Sequence, residues 1–260
     1  MISVYYQNTG WTTSLFPDVK GRVKGDSLVA GRENCLKLSR LASRSYGMFG
    51  EPVHFTRIRI PVPRKAVYSR MGFRKGLTRV RPEEQEKVEQ YMDEAAGIIT
   101  LKGAACALPI VRIGEAGTEL PGGRLLPGSS LSRMLSGSSH VLLMGATAGP
   151  GIMEAIVAAS AGEDLTRAVV LDATASEMTD AALDWIMSYV DQDLRRSAQR
   201  LTKSRYSAGY GDFPLESQRE LFTLLRMESI GVALTESCTL VPEKSVTAVA
   251  GIGRTVQDAQ

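Results

Sequence analysis

Residues 140–162 read HVLLMGATAGPGIMEAIVAASAG, and after four more residues the chain continues RAVVLDATAS (167–176). This stretch admits two folds. In one, a buried strand enters a glycine-rich turn, a helix follows, and a second strand ends at Asp172. Gly145, Gly149 and Gly151 then allow close backbone approach to a cofactor, the helix N-terminus favours an anion, and Asp172 takes ribose hydroxyls. That is the logic of a Rossmann-like nucleotide or S-adenosylmethionine-dependent enzyme. In the other fold, residues 141–145 are a buried strand and the turn leads into a helical pair, with Asp172 midway along a long helix. The spacing G-x-x-x-G-x-G departs from the dinucleotide fingerprint, and Pro150 interrupts it. No alternating array of strands and helices surrounds the segment, so the second reading is preferred.

Working outward, residues 164–198 read as mostly helix. Leu165, Val169, Asp172, Ser176, Asp180 and Asp184 trace one line, and Ala168, Leu171, Ala175, Met178, Ala182 and Trp185 trace an apolar one. Upstream, Ile58, Ile60 and Val62 alternate with polar residues and predict a half-buried strand. Arg64–Met71 reads as a short helix that Gly72 ends. Pro82 opens a longer helix with Val88, Met92, Ala95 and Ile99 on one face. Ala104–Ile113 is expected to be a strand, 114–129 (GEAGTELPGGRLLPGS) a loop, and Leu131–Leu135 a short helix. Downstream, Pro214–Met227 predicts a helix with Asp212 or Phe213 near its cap, and Ser245–Ile252 the last strand. Strands and helices without a strict repeat favour an α+β fold. The polar, weakly periodic residues 1–47 are read as an extension outside the core, with the folded domain spanning 48–260.

Composition narrows the class. Of 260 residues, 43% are hydrophobic and 23% charged, the balance of a soluble globular protein. No apolar run approaches the roughly 20 residues that cross a bilayer, and the N-terminus lacks a secretory pattern. The three cysteines (Cys35, Cys106, Cys238) are scattered and odd in number, which argues against a disulfide framework. No Cys/His spacing suggests a metal site. A cytoplasmic protein is the default. Residues 1–82 hold 16 Lys/Arg against 4 Asp/Glu, and the remainder 15 against 24. A basic N-terminal third can touch nucleic acid, but without aromatic interleaving it reads better as a solvated face, with no nucleic-acid partner and no membrane.

The chemistry concentrates in residues 204–253, SRYSAGYGDFPLESQRELFTLLRMESIGVALTESCTLVPEKSVTAVAGIG. Arg205 and Tyr210 flank a short run, and Gly209 and Gly211 free the backbone on either side of Tyr210. Such a loop can present several N–H and C=O groups to one small ligand. An arginine can hold a carboxylate with two charge-assisted hydrogen bonds, and a tyrosine hydroxyl can donate to the same ligand. The alternative reading is a plain loop capping a helix, with Arg205 paired to a surface carboxylate.

The ordered series R-x-x-x-G-Y (205–210), GDFPLESQRELFTLL (211–225), ESIGVALTES (228–237) and VPEKSVTA (241–248) resembles the activation domain of cobalamin-dependent methionine synthase. Weaker similarity extends through VYSRMGFRKG (67–76), SSLSRML with VLLMGATAG (129–149) and LDATASEMTDAALD (171–184). The resemblance implies a twisted antiparallel sheet flanked by helices. It implies S-adenosylmethionine as ligand, with Arg205 on the methionine carboxylate and Tyr210 beside the sulfonium end, in the catalytic position. Backbone groups around Arg205 and Ser207 would hold the adenosyl part, and Gly209 completes the motif. Glu236 and Ser237 match a turn read as structural, with lining of the site as the alternative. The implied activity is methyl transfer to a Co(I) corrinoid after reduction by a flavodoxin-like donor. That is methyltransferase chemistry exercised only with partner proteins.

The chain also departs from the family. It has no D-W-T-P-F-F segment, Ser188 stands nearest an expected acidic position, and Gly211-Asp212 replaces Pro-Ala. It lacks a D-x-H-x-x-G motif, so the corrinoid is expected in trans, on a corrinoid-binding methyltransferase or methionine synthase module. The expectation is a stand-alone reactivation protein. A non-catalytic module docking on a corrinoid protein is the principal alternative.

Overall fold

The computed structural model describes residues 49–74, 78, 81–162 and 164–254. The expected extension 1–47 lies outside the described residues. Five strands, β1 (Val53–Phe55), β2 (Lys102–Pro109), β6 (Ser138–Thr147), β7 (Gln199–Leu201) and β10 (Ser245–Arg254), form one sheet in the order β1-β2-β6-β10-β7. Every pairing in it is antiparallel. The fold is therefore α+β, a mixed architecture with helices on an antiparallel sheet.

Two long neighbours make the sheet's centre. β6 pairs with β2 from Thr147↔Lys102 to His140↔Pro109, and with β10 from Thr147↔Ser245 to His140↔Ile252. Alternation in β6 sends Val141 and Leu143 into one core cluster with Cys106, Phe213, Leu225, Met227 and Val249. The opposite face is covered by α5 (Leu165–Leu194), which crosses β2, β6 and β10. On α5 the expected apolar line is buried at Ala168, Leu171, Ala175, Met178 and Ala182. Helices α1 (Arg64–Arg70), α2 (Pro82–Ile98) and α4 (Gly151–Ala161) pack on α5 in turn. Val67, Val88, Met92, Val170 and Ala173 close a second apolar cluster there. On the sheet's first edge, Phe55 meets Trp185 and Tyr189 of α5 edge-on, with the latter two rings stacked 5.6 Å apart.

The helix reading of 164–198 holds, and it removes the Rossmann alternative: residues 168–172 lie inside α5 instead of forming a strand beside 141–145. Gly145 serves packing, not a cofactor. A Cβ there would stand 2.4 Å from the Met227 sulfur. Gly149 adopts φ +82°, a turn conformation that favours glycine.

Three sequence expectations need correction. Residues 58–63 form no strand; Ile58 is buried and donates its N–H to the Leu101 carbonyl, but Pro61 and Pro63 cannot donate to a ladder. The stretch 114–129 is no plain loop. It contributes most of a small sheet of β3 (Arg112–Gly114), β4 (Gly117–Leu120) and β5 (Arg124–Pro127), followed by α3 (Ser129–Met134). The glycines and prolines make its tight turns. The helix expected at 214–227 opens as a 3₁₀ turn that runs directly into α6 (Gln218–Leu225), and Arg226, in a left-handed conformation at φ +48°, separates α6 from a second 3₁₀ turn. Between that turn and β10 runs the short hairpin β8 (Ala233–Leu234) and β9 (Leu240–Val241).

Candidate functional site

The Arg205–Tyr210 run lies on the far edge of the main sheet. β7 pairs with β10 through Leu201↔Ile252, Thr202 follows with its N–H on the Gly251 carbonyl, and Tyr206 rejoins β10 opposite Val249. The ladder is interrupted between Thr202 and Tyr206, and Arg205 stands in the interruption. Its side chain is 11% exposed and reaches α5. Nη2 donates to Asp180 Oδ1 at 2.7 Å and more weakly to the Asp180 carbonyl at 3.5 Å. Nη1 donates to Asp184 Oδ1, with the Met187 sulfur 3.9 Å away. Asp180 is 32% exposed and Asp184 65%. Desolvation works against the buried guanidinium's charge, but the two carboxylates outweigh it and leave the group's pKa above its ordinary value.

After Tyr206 the chain turns. The Tyr210 N–H donates to the Ser207 carbonyl at 3.3 Å. Gly209 N–H donates to the Phe213 carbonyl at 2.9 Å, and Phe213 N–H returns to the Tyr210 carbonyl at 3.0 Å. Gly209 (φ +88°) and Gly211 (φ +57°) both use the left-handed region, which explains the glycine on each side of the tyrosine. Phe213 is fully buried and anchors the turn, Ser207 is half-buried, and Tyr210 is 36% exposed at the outer surface.

Asp212 does not cap the helix that follows it. Its Oδ2 accepts the Ser130 N–H (2.9 Å) and the Ser129 hydroxyl (2.8 Å) at the start of α3. These bonds, the backbone one foremost, hold its carboxyl at about 2.

Sequence reasoning placed Arg205, Ser207, Gly209 and Tyr210 in one run, and they do share one edge-and-turn segment. The alternative reading, Arg205 paired to a surface carboxylate, is what the structure shows, with Asp180 and Asp184 as the partners that the sequence did not name. The signal was present in the polar line 172-176-180-184 on α5. The upper half of that line has its own cation: Lys244, only 6% exposed, places Nζ 2.6 Å from Asp172 Oδ1 and 2.9 Å from Ser176 Oγ. Asp172, the candidate ribose ligand of the discarded fold, is thus an ion-pair partner.

Glu236 and Ser237 occupy the turn of the β8–β9 hairpin. The Glu236 carbonyl accepts from Arg219, and the Ser237 and Thr235 hydroxyls lie 2.9 Å apart. Cys106 and Cys238 are buried free thiols, and burial pushes Cys106 up to about 11. Two open depressions lie away from the Arg205 run. One of about 310 Å³ is lined by Met71, Phe73, Val88 and Leu165. The other, of about 440 Å³, is lined by Met153, Ala233, Val241 and Pro242. Among the described residues no helix is long and apolar enough to cross a membrane.

Comparison with known proteins gives three results. No curated protein matches the chain. Among solved structures, the MetH reactivation domain bound to AdoHcy aligns with 75% of this chain and 70% of its own, at 16% identity and a TM-score of 0.49. Residues 136–256, which run from the central strand β6 through α5 and the Arg205–Tyr210 turn to the end of β10, match the family model of the vitamin B12 dependent methionine synthase activation domain.

Proposed function

We propose that the chain binds S-adenosylmethionine and supports reductive methylation of a corrinoid carried by a partner protein. The observation that carries this reading is the Arg205–Asp180–Asp184 cluster, set at the head of the R-x-x-x-G-Y run inside the family-matched segment. One buried guanidinium with two carboxylates, one of them largely exposed, is a counterpart for a zwitterionic amino-acid head. The ligand carboxylate takes the place of Asp184 on Nη1, so Arg205 never loses its compensating charge. The freed Asp184, together with Asp180, then receives the ligand ammonium. These aspartates supply the acidic contact that the missing D-W-T-P-F-F segment leaves open. Backbone groups around Arg205 and Ser207 hold the adenosyl part, Gly209 shapes the turn, and Tyr210 stands at its exposed crest, where a corrinoid presented in trans can approach the sulfonium methyl.

In the reaction the methyl carbon–sulfur bond breaks with its electron pair left on a neutral thioether. The new bond forms to Co(I), which a flavodoxin-like donor regenerates from Co(II) by one electron. No general base is required, and alignment of the two reactants supplies the rate. The partners are corrinoid-binding methyltransferase or methionine synthase modules, and the setting is the cytoplasm.

The test is calorimetry with S-adenosylmethionine on the wild-type chain and on Arg205→Ala, followed by methyl transfer to a reduced corrinoid carrier. Binding by wild type and its loss in Arg205→Ala supports the reading. The full pairing of Arg205 also favours a second reading, a docking module that no longer binds the ligand. An absence of binding heat even with the corrinoid carrier present would select it.

A further inference from the structure

α3 lacks a side-chain cap of its own. Its N-cap is Gly128, which has no side chain to accept from the first turn. The acceptor comes from Asp212, more than eighty residues away in sequence, whose Oδ2 takes both the Ser130 N–H and the Ser129 hydroxyl. The approach is tight: a Cβ on Gly128 would lie 2.9 Å from the Asp212 carbonyl oxygen, so glycine at φ +119° is what allows the two segments to meet.

The turn that Asp212 closes has little stiffness of its own. Both residues flanking Tyr210 are glycines in the left-handed region, and a Cβ on Gly209 would meet the Leu215 side chain at 3.3 Å. Three backbone hydrogen bonds join Ser207, Gly209, Tyr210 and Phe213. Buried Phe213 fixes one end to the core, and the Tyr206–Val249 bridge fixes the other to the sheet. Asp212 ties the segment sideways to a separate part of the fold, the α3 start beside the small sheet.

We propose that Asp212 is a positioning residue for the ligand-binding turn: by capping α3 it holds the Ser207–Gly211 backbone in the conformation that receives the ligand. This rests on the S-adenosylmethionine reading above. Its carboxylate touches α3, not the ligand, so its effect passes through the turn. An amide at this position keeps the oxygen acceptor for the Ser130 N–H and gives up only the charge.

The experiment pairs calorimetry using S-adenosylhomocysteine with amide hydrogen exchange on the full chain and on Asp212→Ala and Asp212→Asn. Asp212→Ala should weaken binding about fivefold or more, the size expected when the free energy of a helix cap is passed on to the ligand-binding turn. It should also speed exchange at Gly209, Phe213 and Ser130, and leave Tyr206, bonded to Val249, unchanged. Asp212→Asn should restore affinity to near the wild-type value. A merely stabilising cap predicts a lower melting temperature with ligand affinity unaltered, and that result overturns the proposal. So does an Asp212→Asn variant as weak as Asp212→Ala, which would assign the effect to charge at the ligand. Should Asp212→Ala fail to fold, Ser129→Ala removes one of the two bonds and is expected to give a smaller loss; no change in both affinity and exchange there also overturns the proposal. If wild type itself does not bind, the functional reading fails instead, and unchanged exchange at Gly209 and Phe213 in Asp212→Ala would separately reject the tether.

Discussion

Arg205 is the residue on which the proposed site turns, because a guanidinium at 11% exposure must keep a carboxylate partner. Arg205→Ala removes two charge-assisted bonds and leaves Asp180 and Asp184 facing each other. Ligand binding should weaken by at least about 1.5 kcal/mol, read by calorimetry. Arg205→Lys should restore it poorly, since an ammonium cannot span both carboxylates with a planar fork. Asp212 makes a pH prediction. Its carboxyl sits at about 2, below the ordinary carboxylate value, because the folded chain donates hydrogen bonds to the charged form. A depressed folded pKa contributes stability that is complete above about pH 4 and fades as pH falls toward 2. Acid titration of melting temperature in wild type and Asp212→Asn should diverge in that window and run parallel above it. The pairing of Arg205 with α5 was legible in the sequence only as a polar line, because spacing along one helix tells nothing about which distant side chain faces it.

Among the elements, α5 organises the molecule. Its polar line is held by two cations from different parts of the chain, Lys244 on Asp172 and Ser176, and Arg205 on Asp180 and Asp184. Thr179, between the two sets, donates to the Ala175 carbonyl and more weakly to that of Lys244. Lys244→Met keeps the volume of the stem but leaves Ser176 buried without its partner and Asp172 unpaired. It should lower stability by about 1–3 kcal/mol in denaturant titration. The helix itself was readable because Ala168, Leu171, Ala175, Met178 and Ala182 recur at helical spacing, all buried, and Asp164 caps it through the Arg167 N–H. The small sheet at 112–127 was not, since its strands are three or four residues long and its glycines and prolines carry the signal of turns. Pairing between such short segments is decided by α3 packing beneath them, through Leu131 and Leu135 in the same cluster as Leu120 and Leu126.

At the scale of the whole molecule, the antiparallel sheet and its covering helices followed from periodicity in β6, β10 and α5, where burial on both faces or along one stripe dominates local preference. The division of the chain is a separate expectation. A chain starting at Met48 should melt with the full-length protein, as followed by circular dichroism, because the apolar pattern that builds the sheet begins after that residue; a large drop would place residues 1–47 in the fold's stability. The aromatic trio of Phe55, Trp185 and Tyr189 has a further consequence. The chain has two tryptophans, Trp11 and Trp185, and Trp185 follows Asp184 directly. With Trp11 replaced by phenylalanine, all indole emission originates from a ring stacked on Tyr189 and met edge-on by Phe55. Its emission thereby gives an optical gauge of how firmly the helix sits on the β1 edge of the sheet.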